Sequence, residues 1–495
     1  MRKNIYVFLL MALGVGLGSC QDRLPKIEAR LAENINIYPD YENVTVPANI
    51  APLNFSILND SVPDETVKGY AMFKNDAGDS IIVKSKKGFI SIPINKWKSL
   101  LANSVGKPID VTIYKENDNK WYGYQSFKIN IAADAMDSWV AYRLIEPGYE
   151  GWNEMGFYQR NIETFDQEAI YENYHTHNNC VNCHSFCNRD PNKMMFHMRA
   201  EHAGTFIIDG DKIDILNTKT KKFPSLVYPS WHPSGDFIAF SSNKTYQNFP
   251  SQQRVECYDT ESDIVVYDIK THSLLSSELF YTDSVFETFP SFSADGKTLY
   301  YCSARYVQVP DSVRKVRYNL CSVEFNPETK TFGSKVDTLI YGERDNVSVS
   351  YPRISPDGKY MVCTLTAFGT FPIWHKEADL YIVDLKTKQG RYMTEANSDD
   401  VESYHSWSSN SKWMVFGSRR MNGLYTRPFV CYIDSTGKDY KSFVLPQKER
   451  GFYQKSIKSY NIPEFIVDKV PDKAYKIRDR AEKPERTKVN LKMQN

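Results

Sequence analysis

The sequence predicts an all-β chain in two parts, an N-terminal immunoglobulin-like β-sandwich followed by a β-propeller, with six blades the expected count. Two observations predict it. The first 135 residues carry short alternating runs broken by turn residues, and the second half repeats one phrase at propeller-blade spacing. The abundance of Tyr (33) and Phe (27) beside 24 Gly and 24 Pro suits a strand-rich, turn-rich molecule. With 495 residues the chain is long enough for two or three domains, and 61 Lys plus Arg against 60 Asp plus Glu leaves no nucleic-acid footprint.

The sandwich is read over residues 21–135. Asn43-Val44-Thr45-Val46, Asn54-Phe55-Ser56-Ile57-Leu58, Ser80-Ile81-Ile82-Val83, Phe89-Ile90-Ser91-Ile92 and Val111-Thr112-Ile113-Tyr114 have strand length and period two. Asp76-Ala77-Gly78-Asp79 supplies a turn, and Trp97 to Ser104 is expected to form one short helix. A spacer or docking role follows from this position.

The propeller is read over 136–465. Tyr228-Pro229-Ser230-Trp231 leads through His232-Pro233-Ser234-Gly235-Asp236 into Phe237-Ile238-Ala239-Phe240. The phrase returns at Phe289-Pro290-Ser291-Phe292 with Asp295-Gly296-Lys297, at Tyr351-Pro352-Arg353-Ile354 with Asp357-Gly358-Lys359, and in worn form at Tyr404-His405-Ser406-Trp407. Trp231, Phe292, Ile354 and Trp407 are 61, 62 and 53 residues apart. A strand, a Gly turn that accepts positive φ and a second strand form the inner half of a blade. Asp263 to Asp268, Leu320 to Glu324, Leu380 to Asp384 and Val430 to Asp434 then read as third strands.

A further copy begins at Cys183-His184-Ser185-Phe186, which puts His184 where Pro290 stands in its repeat. Met155 to Asn161 and Phe165 to Tyr171 resemble third and fourth strands of a blade, whose first and second are expected from Phe443 to Phe465. The repeat resembles the WD40-like (PD40-type) repeat of TolB-type β-propellers over roughly residues 183 to 465. That resemblance implies the fold and leaves function open, because propellers serve as enzymes, adhesins and scaffolds.

Cys180-Val181-Asn182-Cys183-His184 carries the most specific chemistry in the sequence. C-x-x-C-H is the attachment signature for c-type haem, with both thiols bonded to the porphyrin and the imidazole on iron. The reading makes Cys180 and Cys183 thioether donors and His184 the axial ligand, in a loop at 175–198 bordering one propeller mouth. Met194, Met195, His197, Met198, His175 and His177 are candidates for the sixth iron position. The same region offers two rivals, a tetrahedral zinc on His177, Cys180, Cys183 and Cys187, and a disulfide. Cys321 and Cys431, at matching third-strand positions, are expected to be core thiols, and His232, His272, His375 and His405 to be loop or strand-surface residues.

Residues 1–20 resemble a bacterial lipoprotein signal peptide, with basic Arg2 and Lys3, an apolar run to Leu17 and Leu17-Gly18-Ser19-Cys20 as a lipobox. This implies a lipid anchor on Cys20 and a place in the envelope of a Gram-negative-type bacterium, periplasmic or at the outer membrane. The basic segment 466–495 is expected to be a solvated tail. No G-x-S-x-G elbow, H-E-x-x-H or phosphate-cradling loop occurs, so an electron carrier or binding protein is favoured over a hydrolase. The first expectation is a lipid-anchored monohaem c-type protein for electron transfer or redox sensing, docking a redox partner at the propeller face. The alternative is a non-catalytic scaffold whose propeller binds protein or glycan, with the cysteines holding zinc or a disulfide.

Overall fold

A computed structural model describes residues 23–59, 62–147, 153–249 and 255–494, so the signal segment and Cys20 lie outside the described residues. The N-terminal part is a β-sandwich. Pro108–Asn117 is the central strand of its larger sheet, paired with Gly69–Asn75, Lys120–Gly123 and Phe127–Ala132. The smaller sheet is built on Phe55–Asn59. Alternation along Gly69–Asn75 turns Ala71 and Phe73 inward, where Phe73 meets Trp97 edge-on at 5.8 Å. The helix spans Ile94–Ala102, starting earlier than expected because Pro93 fixes the backbone just before its first turn. Buried Trp97 donates its indole N–H to the Ile50 carbonyl at 3.1 Å.

Six sheets of four or five strands make up the propeller among the described residues. Their innermost strands are Val181–Phe186, Val227–Trp231, Val285–Phe292, Ser348–Ile354, Glu402–Trp407 and Ser459–Ile466. Each touches the next and the last returns to the first, so the ring is closed. The Ser-x-Asp-Gly turns explain why the phrase is readable. Ser293 Oγ donates to Asp295 at 2.6 Å and accepts the Thr298 amide at 3.0 Å, while Gly296 takes φ +73°. Ser355 and Asp357 repeat this arrangement, and Ser408 with Asn410 preserves it in the worn copy. Gly296 is also obligatory for space, since a Cβ there would lie 2.1 Å from His232 Nε2.

Two expectations about the chain ends are corrected. The closing blade takes only its innermost strand, Ser459–Ile466, from the C-terminal side; its second strand is Trp139–Ile145, paired antiparallel from Trp139↔Ile466 to Ile145↔Ser459. Phe443–Val444 instead forms the outer strand of the preceding blade, against Arg427–Tyr432. The segment after 466 is not a solvated tail. Its helix Ala474–Ala481 buries Ile477 and Ala481, Thr487–Lys488 pairs parallel with Lys212–Asn217, and Asn490–Gln494 pairs parallel with Ser273–Ser277. Ladder bonds to an open sheet edge come from the backbone, so a polar segment can be ordered by them.

The sandwich is joined to the propeller through one continuous apolar cluster. Trp413 Nε1 donates to the Asp134 carbonyl at 3.1 Å, and Tyr432 OH donates to the Asp134 carboxylate at 2.6 Å. No helix among the described residues is long and apolar enough to cross a membrane.

Candidate functional site

Each of the six innermost strands is interrupted by a break in register, and at each break one residue adopts the left-handed conformation. These are Cys183, Tyr228, Phe289, Tyr351, Tyr404 and Ile462, with φ between 49° and 53°. A bulge inserts extra residues and re-aims a side chain. Here it brings aromatic rings together at the propeller axis, with centroid separations of 4.4 Å for Tyr228–Phe289, 4.1 Å for Phe289–Tyr351 and 5.1 Å for Tyr351–Tyr404. The aromatic before proline was visible at Tyr228, Phe289 and Tyr351, with Tyr404 before a histidine; that these residues form a plug was not.

Outward from the plug, toward the first turns of the blades, lies a funnel of about 250 Å³. Arg189, Arg353 and Glu464 give it its charge, with Trp231 and Trp407 on its wall. Both indoles bond neighbouring blades, Trp231 to the Ser185 carbonyl at 3.3 Å and Trp407 to the Arg353 carbonyl at 3.0 Å. Arg189 donates to the Trp407 carbonyl at 2.8 Å. Glu464 accepts the Phe186 amide with both oxygens at 3.2 Å. Burial pushes the Glu464 carboxyl up to about 7, against the opposing pull of that amide and of Arg189 and Arg353. Two guanidiniums against one carboxyl leave the funnel net positive whether or not the carboxyl is ionised.

The Cys-His segment occupies the rim of this funnel differently from the sequence expectation. Val181–Phe186 is itself the innermost strand, not the loop before it. Cys183 is the left-handed plug residue of its blade and lines the funnel, and burial raises its thiol pKa. Half-buried Cys180 stands outside the funnel lining, against the core of the closing blade, with Asn182 Nδ2 at 3.7 Å from its sulfur. His184 is buried between blades against Phe157, ring centroids 5.1 Å apart, and neither ring nitrogen has a hydrogen-bond partner of good geometry. Burial pushes its pKa down to about 3, with Arg143 adding to the shift, so the imidazole is neutral.

His405 follows Tyr404 as His184 follows Cys183, and it too is buried with a pKa near 3; its Nε2 lies 2.8 Å from the Val362 carbonyl. A histidine at this position is thus accommodated as interior structure without any cysteine beside it. The same finding corrects the surface placement of His405 and of His232, which is buried with Nε2 3.1 Å from the Gly296 carbonyl.

Haem attachment needs both thiols and the imidazole to reach one porphyrin. Here Cys183 and His184 both line the funnel, but Cys180 does not, and the imidazole packs against Phe157 rather than standing free. The funnel is also smaller than the roughly 300–1,000 Å³ of drug-sized ligand sites. The residues as placed do not fit a bound haem. Of the sixth-ligand candidates, Met194 and Met198 fill the core beside Phe157, Met195 fills the neighbouring cluster, and His197 Nδ1 is 2.9 Å from the Thr205 hydroxyl. His175 stacks at the surface between Tyr174 and Tyr475.

The proposed zinc set is not assembled. Cys187 is buried with Met195 and Trp231, its thiol pKa pushed up to about 11 by burial, whereas His177 stands on an exposed corner beside Glu201 and His202. The eight described cysteines are all free thiols, Cys321 and Cys431 buried as expected.

No family model matches this sequence, and no curated protein matches it. Among solved structures the chain is similar to an oligogalacturonate lyase from Vibrio parahaemolyticus, with 12% identity, 59% of this chain and 71% of that one covered, and TM-score 0.34. It is also similar to a DUF4784 family protein from Bacteroides caccae, with 10% identity, 74% and 96% covered, and TM-score 0.30. A third, prolyl oligopeptidase B from Galerina marginata, has 8% identity, 68% and 42% covered, and TM-score 0.35.

Beyond the plug from the funnel, the strands carry buried polar groups. Glu287 is 2% exposed, with Oε2 unpartnered, and burial together with the Asp263 charge pushes its pKa up to about 9. A carboxyl raised in the folded state costs stability progressively as pH climbs from its unfolded value, about 4.3, toward its folded one. Glu287→Gln is therefore expected to match wild type near pH 4 and to exceed it by roughly 3–4 kcal/mol near pH 7. Urea unfolding of both proteins at each pH checks this; parallel pH profiles would contradict it.

Proposed function

We propose that this chain is a non-catalytic binding propeller of the cell envelope, and that its funnel receives a small ligand or chain segment bearing an anionic group. The observation that carries the reading is Arg189 and Arg353 converging with a single acid, Glu464, above a floor of packed aromatic rings. A planar guanidinium binds a carboxylate through paired N–H bonds, and a semi-enclosed site strengthens that attraction relative to open solvent. A free peptide C-terminus and an acidic sugar share this carboxylate chemistry. The resemblance of Leu17-Gly18-Ser19-Cys20 to a lipobox supports attachment to a membrane through a lipid at Cys20.

Calorimetry with glucuronate and with short peptides bearing a free C-terminal carboxylate, each against its neutral amide, tests the reading. Binding of a carboxylate form, weakened roughly tenfold or more by Arg353→Ala and by Arg189→Ala, is expected. Equal binding of the neutral amides, or indifference to both substitutions, would overturn it.

One observation favours a second reading, the c-type haem site: neither nitrogen of the buried His184 imidazole makes a hydrogen bond of good geometry, the Ile462 backbone being its polar neighbour. That reading requires the strand Val181–Phe186 to open before attachment. Intact mass after coexpression with a haem-attachment system distinguishes the two, since only the second predicts a covalent gain that Cys180→Ala abolishes.

A further inference from the structure

The exposed corner that holds His177 lies outside the funnel, and its chemistry goes beyond the binding reading above. His177 ends the turn Asn173–Thr176 in the left-handed conformation, at φ +50°. Glu201 and His202 belong to the turn Ala200–His202, which joins the second and third strands of the next blade. The two turns are locked together from beneath. Asn179, 4% exposed, donates from Nδ2 to the Thr176 carbonyl at 2.6 Å and accepts the His202 amide at 3.2 Å. Thr176, itself buried, shares a 2.8 Å hydrogen bond with Tyr171, and the Arg199 amide donates to the Cys180 carbonyl at 2.9 Å.

On this frame, ligand atoms of His177, Glu201 and His202 all lie within 4.8 Å of one another. Among the described residues no other group of three histidine, cysteine or acidic side chains converges in this way. His177 Nδ1 is 3.9 Å from Glu201 Oε2, and His202 Nε2 is buried without a hydrogen-bond partner. One ring nitrogen from each imidazole and one carboxylate oxygen thus lie close enough together to share a single cation.

We propose that His177, Glu201 and His202 form a binding site for a divalent transition metal of the zinc type. Two imidazoles and one carboxylate are the donors that zinc takes at about 2.0–2.2 Å, and three protein ligands leave at least one position for water. Side chains 73% and 70% exposed at His177 and Glu201 can close the remaining gap by small rotations, while the buried bonds of Asn179 keep the two backbones in place. The cysteines are not needed, which replaces the Cys-rich zinc set expected from spacing.

The test is a titration of tag-free protein with zinc by calorimetry and with cobalt by visible absorption. One equivalent should bind, with roughly a tenfold or greater loss of affinity in His202→Ala and in His177→Ala, and no change in Cys180→Ser. Cobalt should show weak nitrogen- and oxygen-ligand bands without thiolate charge transfer. Melting curves of metal-free variants verify folding, and Glu201→Gln, at an exposed position, serves as a third variant. Absence of stoichiometric binding, binding retained in the double histidine variant, or thiolate charge transfer lost in Cys180→Ser would each overturn the site. None of these outcomes depends on the funnel.

Discussion

A chain ending after Lys458 is expected to yield no cooperatively folded propeller, whereas one ending after Glu482 should fold with a lower melting temperature. The first truncation removes Ser459–Ile466, the innermost strand of the closing blade and the contact between the first and last members of the ring. Tyr460, Phe465 and Ile466 are each at most 1% exposed, and Asn461 accepts the Arg143 guanidinium at 2.7 Å. Burial of three such side chains is worth roughly 1.5–3 kcal/mol apiece. The total approaches the whole stability of an ordinary domain, about 5–15 kcal/mol. The second truncation removes only the strands that extend two outer edges, Thr487–Lys488 and Asn490–Gln494. Circular dichroism melts and gel filtration separate the outcomes. A sharp wild-type melt from the chain ending at 458 would refute ring closure by this strand.

Arg427→Met should destabilise the protein by about 3–5 kcal/mol. The side chain is wholly buried, and its guanidinium donates to the carbonyls of Lys458, Tyr453 and Ser456 at 2.7, 2.8 and 2.7 Å. It lies 4.9 Å from the Tyr425 ring centroid and 5.5 Å from that of Tyr453. Methionine restores most of the volume and no donors, so interior carbonyls lose their partners at roughly 1–3 kcal/mol each before relaxation. Arg305→Met, at a side chain 75% exposed, is the control and should change stability by less than about 0.5 kcal/mol. Urea midpoints measure both; a loss under about 1 kcal/mol for Arg427→Met would show that the carbonyls find other donors.

What could be read from sequence was local chemistry. Ser293, Asp295 and Gly296 close their turn with bonds among neighbours, so the turn announces itself in every copy. Trp139–Ile145 carries no such turn; it pairs with Gly156–Asn161 on one side and with a strand more than three hundred residues away on the other, and that second pairing has no local signal. Ile462-Pro463 did hold a signal, since it matches Phe289-Pro290 in sequence and in backbone conformation. The basic segment after 466 misled because its apolar anchors are few, Val470, Ile477 and Ala481, and the rest of its order comes from backbone pairing. Cys180-Val181-Asn182-Cys183-His184 could be read as a motif but not as a placement. Spacing fixes which thiols are close in sequence, but the break at Cys183 and His184 decides where each side chain faces.

The ring of left-handed residues also determines what the propeller is not. A hollow axis would let solutes cross from one mouth to the other, as through a pipe. Tyr228, Phe289, Tyr351 and Tyr404 stop that passage with rings in mutual contact, and every blade contributes one residue to the stopper. The funnel is therefore a well with a floor and not the mouth of a pipe, so whatever enters it leaves by the same side.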